Sequence, residues 1–347
     1  MPLPPRIVRR LMFGPLVLAI SLVLIALAPA LLLAAAVTDL VLSRRRWQTT
    51  RVVAFAEAYL CVEVAGLLAL FGLWIASGFG ATIRSERMQR AHYGLLRRLL
   101  AATNGAVRRL FRMKIWIEDR PERRPGPILV FSRHAGPGNS LMLVGTLMIG
   151  YRRSPRIVML AKLQWEPLFD TMLNRLPNRF IQHDPRNRQR YVDMIGELAS
   201  GLGDDDAFVL FPEGHDFTYV KRLRAIAHLR KRGYHDAALK AERMERVLPP
   251  KHGGVMAAIT AAPDADVVFV AHTVLEDIGT FRDLWRRVPF EAPILSRYWR
   301  IPPGEVPRER EELIEWLFEW WRRIDGWIDE RRTAPQPSPA TAGEAVP

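Results

Sequence analysis

The sequence predicts an α/β domain with a mostly parallel sheet flanked by helices, preceded by N-terminal membrane helices. Two observations predict this class. Short apolar runs alternate with helical stretches along the second half of the 347-residue chain, and two long apolar segments lie near its start. The net charge of +14 indicates an anionic partner. No zinc finger, basic zipper or RNA-binding signature accompanies that charge, so the charge alone does not favour nucleic acid. The hydrophobic N-terminus favours an anionic membrane, and no nucleic acid is expected.

The first apolar segment, residues 14–37, contains no charged side chain. At about 1.5 Å per residue it is long enough to cross a hydrocarbon core of about 30 Å, and a second segment follows at 52–79. Between them lies a basic break, formed by Arg44, Arg45, Arg46 and Arg51. Two full crossings would place this break opposite the N-terminus, against the positive-inside rule, whereas Pro29 also permits a kinked or re-entrant hairpin. Both topologies stay open.

Three regions are predicted: membrane-anchoring segments at 1–83, an α/β domain with amphipathic flanking helices at 84–332, and a disordered tail at 333–347. Residues 84–111 have the pattern of a basic amphipathic helix, which fits an anionic membrane surface and a solvated helix face equally well. The tryptophan-rich helix predicted at 308–331 favours core packing, with interfacial anchoring as the alternative. The single cysteine, Cys61, excludes an intrachain disulfide.

The predicted sheet consists of short apolar runs bounded by turn residues. They lie at 128–131, 157–160, 180–182, 208–211 and 267–270. Helices are predicted between them at 139–149, 190–202 and 237–247. This alternation predicts parallel strands joined by helical crossovers.

His134 leaves the first predicted strand and enters the turn Gly136-Pro137-Gly138. Histidine is the usual general base near neutral pH, and glycine permits close approach of the backbone. A histidine in a turn is by itself more often structural than catalytic. Its position at the carboxyl end of a strand favours a site, because ligands of open α/β sheets bind at that edge.

A second polar turn, Phe211-Pro212-Glu213-Gly214, follows the strand predicted at 208–211. Two turns at the same sheet edge are expected to converge on one pocket. The chain lacks the Gly-x-Ser-x-Gly elbow of serine hydrolases, the His-Glu-x-x-His pattern of zinc proteases and the glycine-rich loops that bind nucleotide phosphates. These three classes are therefore excluded.

Together the two turns resemble the lysophospholipid and glycerol-phosphate acyltransferase superfamily over residues 121–277. That family has His-x4-Asp in its first motif and Phe-Pro-Glu-Gly in its third, which residues 211–214 match. Lys162 with Pro167, and Lys251 before His-Gly-Gly, are similar to further family elements. Asp216 stands where other members of the family have arginine. In this it is similar to the branch that includes lysocardiolipin acyltransferase-like enzymes.

The resemblance implies transfer of an acyl group from acyl-CoA or acyl-carrier protein to the hydroxyl of a lysophospholipid acceptor. It implies His134 as the general base, with backbone N–H groups of Gly136 and Gly138 stabilising the oxyanion. Residues Phe211, Pro212, Glu213 and Gly214 would shape the acceptor site. Arg133 and Lys251 are candidates for phosphate contact, with a structural salt bridge as the alternative. No cofactor and no metal are implied, and the expected location is the cytoplasmic face of the inner or plasma membrane.

Two departures from the family's pattern affect this interpretation. Asn139 stands where the first motif has an aspartate, and an amide stabilises a protonated histidine less than a carboxylate does. In the second motif Arg179 is displaced and Asp184 stands near the expected basic residue, so Arg186, Arg188 and Arg190 are alternative phosphate contacts. A catalytically impaired homologue that acts as a lipid-binding or regulatory membrane protein is the alternative function. Comparing the wild type with Asn139→Asp separates the two.

Overall fold

The computed structural model describes residues 3–42, 46–119, 122–182, 187–273 and 280–333. The chain divides into two compact units. The first comprises Met1–Met113, Val158–His183 and Thr280–Glu291, and the second comprises Lys114–Ile157, Asp184–Gly279 and Ala292–Pro347. This division differs from the boundary predicted at residue 83, because the helix that follows it belongs with the N-terminal segments.

Several predictions fall on residues outside the described ranges. They concern Arg44 and Arg45 of the basic break, Asp184 and Arg186 of the second motif, and the tail from residue 334 onward.

The elements alternate along the chain as the sequence predicts. The helices are α1 (Arg6–Val8), α2 (Gly14–Val41), α3 (Gln48–Ala76), α4 (Glu86–Phe111), α5 (Pro137–Gly145), α6 (Pro167–Leu173), α7 (Arg188–Ala199), α8 (Tyr219–Lys231), α9 (His235–Glu242), α10 (His252–Ala261), α11 (Phe281–Arg287) and α12 (Arg310–Thr333). The strands are β1 (Ile115–Glu118), β2 (Ile128–Ser132), β3 (Ser154–Leu160), β4 (Arg179–Ile181), β5 (Asp206–Leu210), β6 (Asp266–His272) and β7 (Ile294–Ile301).

The first unit begins with a helical hairpin. α1 continues through a π-helical turn into α2, which runs unbroken through Pro29, and α3 packs against α2. The two long helices, Arg6–Val41 and Gln48–Ala76, are apolar and long enough to span a membrane by length and composition. Both predicted apolar segments are therefore helical. The first of these helices has no break at Pro29.

α4 is the third long helix of this unit and packs along α3. It starts at Ser85, whose side chain accepts a hydrogen bond from the Met88 N–H group and caps the helix. Its apolar face meets α3 and α6 in a buried cluster, which includes Leu70, Leu99, Leu168 and Met172. The apolar positions of 84–111 are thus directed to a protein core, while the basic positions form the outer face.

Both ends of the hairpin are bound to other parts of the first unit. At one end the Arg9 guanidinium pairs with the Asp170 carboxylate at 2.7 Å. At the other end Arg46 forms an ion pair with Glu291, just after α11. Polar contacts therefore hold the hairpin at its start and at its turn.

The seven strands form a sheet in the order β1-β7-β6-β2-β5-β3-β4. β2 lies between β5 and β6, and all five of its residues are buried, which explains its continuous apolar sequence. β7 runs antiparallel to β6, whereas the other strand pairs are parallel. The predicted class, a mostly parallel sheet with flanking helices, is confirmed.

The two strands that sequence reasoning missed are β1 and β7. β1 has only four residues. β7 contains charged side chains, and one of them, Arg300, pairs with Asp266 of the neighbouring strand at 2.5 Å. β7 therefore lacks the continuous apolar run by which the other strands were predicted, whereas β1 has a short one, Ile115-Trp116-Ile117, that was not predicted as a strand.

The tryptophans of α12 pack inside the second unit. Trp321 and Trp327 are buried, and the Trp320 ring stacks on Phe269 of β6 with ring centroids 4.9 Å apart. Of the two predicted roles, core packing was favoured, and these side chains do pack in the core of the second unit.

Gly66 of α3 is a close contact point in the first unit. A Cβ atom there would lie 2.6 Å from Leu168 Cδ1 and 3.1 Å from Leu99 Cδ1. We expect Gly66→Leu to overpack this core and lower stability by about 1–3 kcal/mol. Gly72→Leu on the same helix, where nothing lies within 4 Å, is the matched control. The test compares thermal unfolding of the two detergent-solubilised variants, and equal melting temperatures would contradict the packing described.

Candidate active site

The turn after the central strand β2 carries His134. β2 ends at Ser132, and the side chain of His134 is half-buried. β5 runs parallel to β2 and ends at Leu210, so the Phe-Pro-Glu-Gly turn begins at the same edge of the sheet. The two predicted turns therefore meet.

One carboxylate joins these turns. The Glu213 side chain is buried, with 2% of its surface exposed. Its Oε1 accepts a hydrogen bond from the His134 backbone N–H group at 3.1 Å, and its Oε2 accepts one from the Leu248 N–H group at 3.0 Å. Glu213 thus fixes the position of His134 through the backbone and ties both motifs to the segment before α10.

Further contacts hold the same arrangement. The Phe217 N–H group donates to the His134 carbonyl at 2.8 Å, so the histidine backbone is bound through both of its polar groups. The Phe211 ring lies against the imidazole with centroids 4.6 Å apart. The Lys251 N–H group donates to the Pro212 carbonyl at 2.9 Å. The predicted residues His134, Phe211, Pro212, Glu213 and Lys251 are therefore brought together.

The glycine turn after His134 leads into α5. Gly136 has a φ of +133°, which a residue with a side chain rarely adopts, and Gly138 is exposed in the first turn of the helix. N–H groups in the first turn of a helix carry partial positive charge. This turn is therefore able to face a developing negative charge beside His134.

Asn139 is buried, and its amide is used within the turn. Nδ2 donates to the Arg133 carbonyl at 2.7 Å, while Oδ1 accepts no hydrogen bond from the residues that the structure describes. An ionised aspartate at this position would place an oxygen close to the Arg133 carbonyl oxygen. The amide at 139 therefore makes a hydrogen bond within the turn that an ionised carboxylate, which has no donor, cannot make.

Arg133 lies in the interior of the second unit. Its side chain is fully buried, and its guanidinium donates to the carbonyls of His272 at 3.0 Å and Arg246 at 2.8 Å. The guanidinium also lies 5.6 Å from the centroid of the Phe217 ring. This placement favours a structural role over the predicted contact with substrate phosphate.

Comparison with known proteins identifies the family. A family model described as Acyltransferase matches residues 114–287, which is half of the chain. The chain belongs to the acyltransferase family. Among solved structures, the crystal structure of the 1-acyl-sn-glycerophosphate (LPA) acyltransferase, PlsC, from Thermotoga maritima is similar, with a TM-score of 0.43 and 12% identity over 78% of this chain and 99% of that chain. No curated protein sequence matches the chain.

The carboxyl group of Glu213, in the Phe-Pro-Glu-Gly turn, has a shifted pKa. Burial raises its pKa to about 7, against the Arg133 guanidinium and the N–H groups of Leu248 and His134, which all favour the ionised form. The buried Asp325 carboxylate acts in the same direction as burial. Glu213 therefore changes its protonation near neutral pH in the folded acyltransferase.

Asp216 is a charged neighbour of His134 that sequence reasoning used only to assign a branch. Partial burial alone would raise its pKa, but the Lys221 ammonium at 2.7 Å, its own backbone N–H group and the His134 ring together hold that pKa below its usual value. Asp216 therefore stays ionised near His134. Its position two residues after the third motif was the sequence signal for it.

Lys251 lies directly over the glycine of the third motif. Gly214 has a φ of +71°, and a Cβ atom there would lie 2.5 Å from the Lys251 Nζ atom. Burial of the ammonium group and the nearby Arg188 lower the pKa of Lys251. A cation packed so closely on the Phe-Pro-Glu-Gly turn is in a suitable place to bind an anionic substrate group.

Other residues of the resemblance belong to the first unit. Lys162 lies exposed in a 3-10 turn, Pro167 begins α6 and Arg179 begins β4. Among the residues that the structure describes, no group of three or more His, Cys, Asp or Glu side chains is arranged to hold a metal ion.

The raised pKa of Glu213 predicts a pH dependence of stability. The folded protein keeps a proton up to about pH 7 that an unfolded glutamate loses near 4.5. The stability from this proton is complete below 4.5 and is lost as the pH rises to about 7, which amounts to on the order of 3 kcal/mol. We expect Glu213→Gln to remove this part of the pH dependence of the melting temperature.

Glu245→Gln, which changes an exposed carboxyl group nearby, is the matched control and should keep the pH dependence of the wild type. If the melting temperature of Glu213→Gln fell with pH as steeply as that of the control, Glu213 would not be the group responsible.

Proposed function

We propose that this acyltransferase moves a fatty acyl group from a thioester donor, acyl-CoA or acyl-carrier protein, to the hydroxyl of a lysophospholipid or related glycerolipid. The proposal rests on the hydrogen bond from the His134 N–H group to Glu213. This bond fixes the histidine of the first motif against the Phe-Pro-Glu-Gly turn. A half-buried imidazole held in this way is able to meet a substrate at the sheet edge.

In the proposed reaction a ring nitrogen of His134 accepts the proton of the acceptor hydroxyl as its oxygen attacks the thioester carbonyl. The carbonyl oxygen becomes an oxyanion, which the N–H groups at the start of α5, next to Gly136 and Gly138, stabilise. When the intermediate collapses, the carbon–sulfur bond breaks and the thiolate takes the proton back from His134. The products are the acylated lipid and the free thiol.

The protonated form of His134 needs negative charge nearby, and Asn139 carries none. We assign this role to Asp216, which interacts electrostatically with the imidazole. Lys221 pairs with Asp216 at 2.7 Å and offsets part of its charge. The imidazolium is therefore stabilised less than it would be by a buried aspartate, and we expect slow transfer.

Lys251 is the residue that we assign to the acceptor's phosphate. Its ammonium group lies against Gly214, and its backbone is bound to Pro212. Arg133, the other predicted candidate, is buried and bound to backbone carbonyls, so we assign it to the support of the His134 turn.

A second candidate function is lipid binding without catalysis. The observation in its favour is the amide of Asn139, which donates to the Arg133 carbonyl and brings no charge to the site. Both candidates use the same fold and the same lipid class, so only a measurement of turnover separates them.

The test of acyl transfer uses purified, detergent-solubilised protein, radiolabelled acyl-CoA and a panel of lysophospholipids. We expect His134→Ala to lower the rate at least about 100-fold, because a general base contributes that much or more. His228→Ala, an exposed histidine of α8, is the matched control and should keep the rate of the wild type. Asp216→Asn should lower the rate by a smaller factor, because it removes only the supporting charge.

Asn139→Asp separates the two candidate functions. Transfer by the wild type that is lost in His134→Ala supports the enzyme, and turnover in Asn139→Asp alone would indicate an inactivated acyltransferase. Equal rates in His134→Ala and His228→Ala would rule out His134 as the base, and lipid binding without turnover in every variant would favour the second function.

We also propose that the α2–α3 hairpin lies along one membrane leaflet and does not cross the bilayer. α4 packs along α3, and exposed arginines occur from its first turn to its last, at Arg87, Arg90, Arg98, Arg108 and Arg109. If the hairpin crossed the bilayer, α4 would carry these charges through the hydrocarbon core, at a cost of about 2.5–3.5 kcal/mol for each one at mid-depth. An orientation along the surface leaves the basic face in the headgroup layer and the apolar face of α2 in the acyl chains.

Thiol labelling tests this orientation. In a Cys61→Ser background we expect Ile7→Cys and Trp47→Cys, at the two ends of the hairpin, to react with a membrane-impermeant maleimide from the same face of sealed vesicles. The native Cys61, midway along α3, is the control and should react only after detergent is added. Labelling of the two ends from opposite faces would indicate a full crossing.

A further inference from the structure

A cavity of about 340 Å³ in the first unit is lined by four arginines. Arg6 and Arg10 come from the start of the hairpin, Arg84 precedes α4, and Arg175 follows α6. Trp74 and Ile83 form apolar parts of its wall. Arg6, Arg84 and Arg175 also line a neighbouring cavity of about 540 Å³.

The positive charge of this cavity exceeds the negative charge beside it. The buried carboxylate of Asp170 pairs with Arg9 at 2.7 Å and with Arg10 at 3.4 Å. Arg6 and Arg84 form no ion pair or side-chain hydrogen bond with any residue in the described part of the chain. A site with this excess of cations favours an anionic ligand.

Arg175 is less exposed than Arg6 and Arg84, and its partners are a backbone carbonyl and an imidazole. Its guanidinium donates to the Leu70 carbonyl at 2.7 Å and lies 3.3 Å from the His92 Nε2 atom. Burial and the nearby Arg10 and Arg6 lower its pKa to about 10. The guanidinium therefore stays charged at neutral pH, in a position that the protein structure itself fixes.

The surroundings of the cavity indicate the rest of the ligand. Ile7 is 71% exposed and Phe79 is 68% exposed, and both lie in the segments that form the cavity wall or flank it. The cavity lies where the first long apolar helix begins and the second one ends. A ligand with an anionic head and an apolar tail fits this position, because exposed apolar side chains at a helix end contact the acyl-chain boundary of a membrane.

Guanidinium groups bind phosphate oxygens in a fixed, often bidentate geometry. We propose that this arginine cavity binds the phosphate group of a membrane amphiphile, with Arg6 and Arg84 at its mouth and Arg175 inside. Every residue involved belongs to the first unit, whereas His134 belongs to the second, and the proposed site uses no residue of the His134 turn. Arg179 of the predicted second motif lines the neighbouring cavity, so this lipid contact lies beside that motif.

The test measures equilibrium binding of a radiolabelled di-ether phosphatidate to the full-length protein in non-ionic detergent micelles. This lipid has no free glycerol hydroxyl, so it cannot be acylated. We expect Arg6→Gln and Arg84→Gln each to weaken binding about tenfold, which corresponds to one charge-assisted hydrogen bond. Arg87→Gln, an exposed residue one turn further along the chain, is the matched control and should bind as the wild type does.

Two further probes distinguish the source of the phosphate. Inorganic phosphate should bind more weakly than the lipid because it lacks the tail, and di-ether phosphatidylcholine should bind more weakly because its headgroup is zwitterionic. If Arg84→Gln and Arg87→Gln weakened phosphatidate binding equally, the binding would be general attraction by a basic surface, and the proposed site would be wrong. Equal affinity for inorganic phosphate and phosphatidate would overturn the assignment to an amphiphile. Unchanged melting temperatures of the lipid-free variants show that any loss of binding is not a loss of folding.

Discussion

The buried carboxylate of Glu213 holds three segments of the second unit in one place. It accepts the backbone N–H groups of His134 and Leu248, and it belongs to the turn that follows β5. Removing a carboxylate from water is costly, and these two N–H groups with the neighbouring Arg133 offset part of that cost, although burial still raises the pKa of Glu213. Without the Glu213 side chain, the His134 turn and the third motif would still lie at the same sheet edge, but they would lose this bond between them. The central strand β2 determines where the His134 turn lies, and Glu213 determines how that turn is positioned relative to the third motif.

The high positive charge of the chain has two different uses. Some arginines serve the interior: Arg133 and Arg222 are buried, and their guanidinium groups donate to backbone carbonyls. Others, such as Arg6 and Arg84, face a cavity and solvent without a carboxylate partner among the described residues. Only the second group bears on an anionic partner. Net charge alone therefore overstates how strongly the surface attracts a membrane.

The sequence predicted the features that depend on neighbouring residues. β2 and β5 were predicted because buried parallel strands are continuous apolar runs, and the convergence of His134 with Glu213 followed from their positions after those strands. Features that depend on distant residues were not predictable. An arginine before a turn has the same local pattern whether it faces substrate phosphate or, like Arg133, the carbonyl of His272. The cavity around Arg6 and Arg175 likewise joins segments far apart along the chain.

In the proposed reaction His134, held by Glu213, is the base that accepts the proton of the acceptor hydroxyl. The most direct measurement is carbethoxylation of the purified protein with diethylpyrocarbonate, in which modification of each histidine is followed by mass spectrometry alongside the rate of acyl transfer. Activity is expected to fall in parallel with modification of His134, and a bound lysophospholipid is expected to protect both the activity and the histidine. Complete modification of His134 with an undiminished rate of transfer would contradict this role of His134.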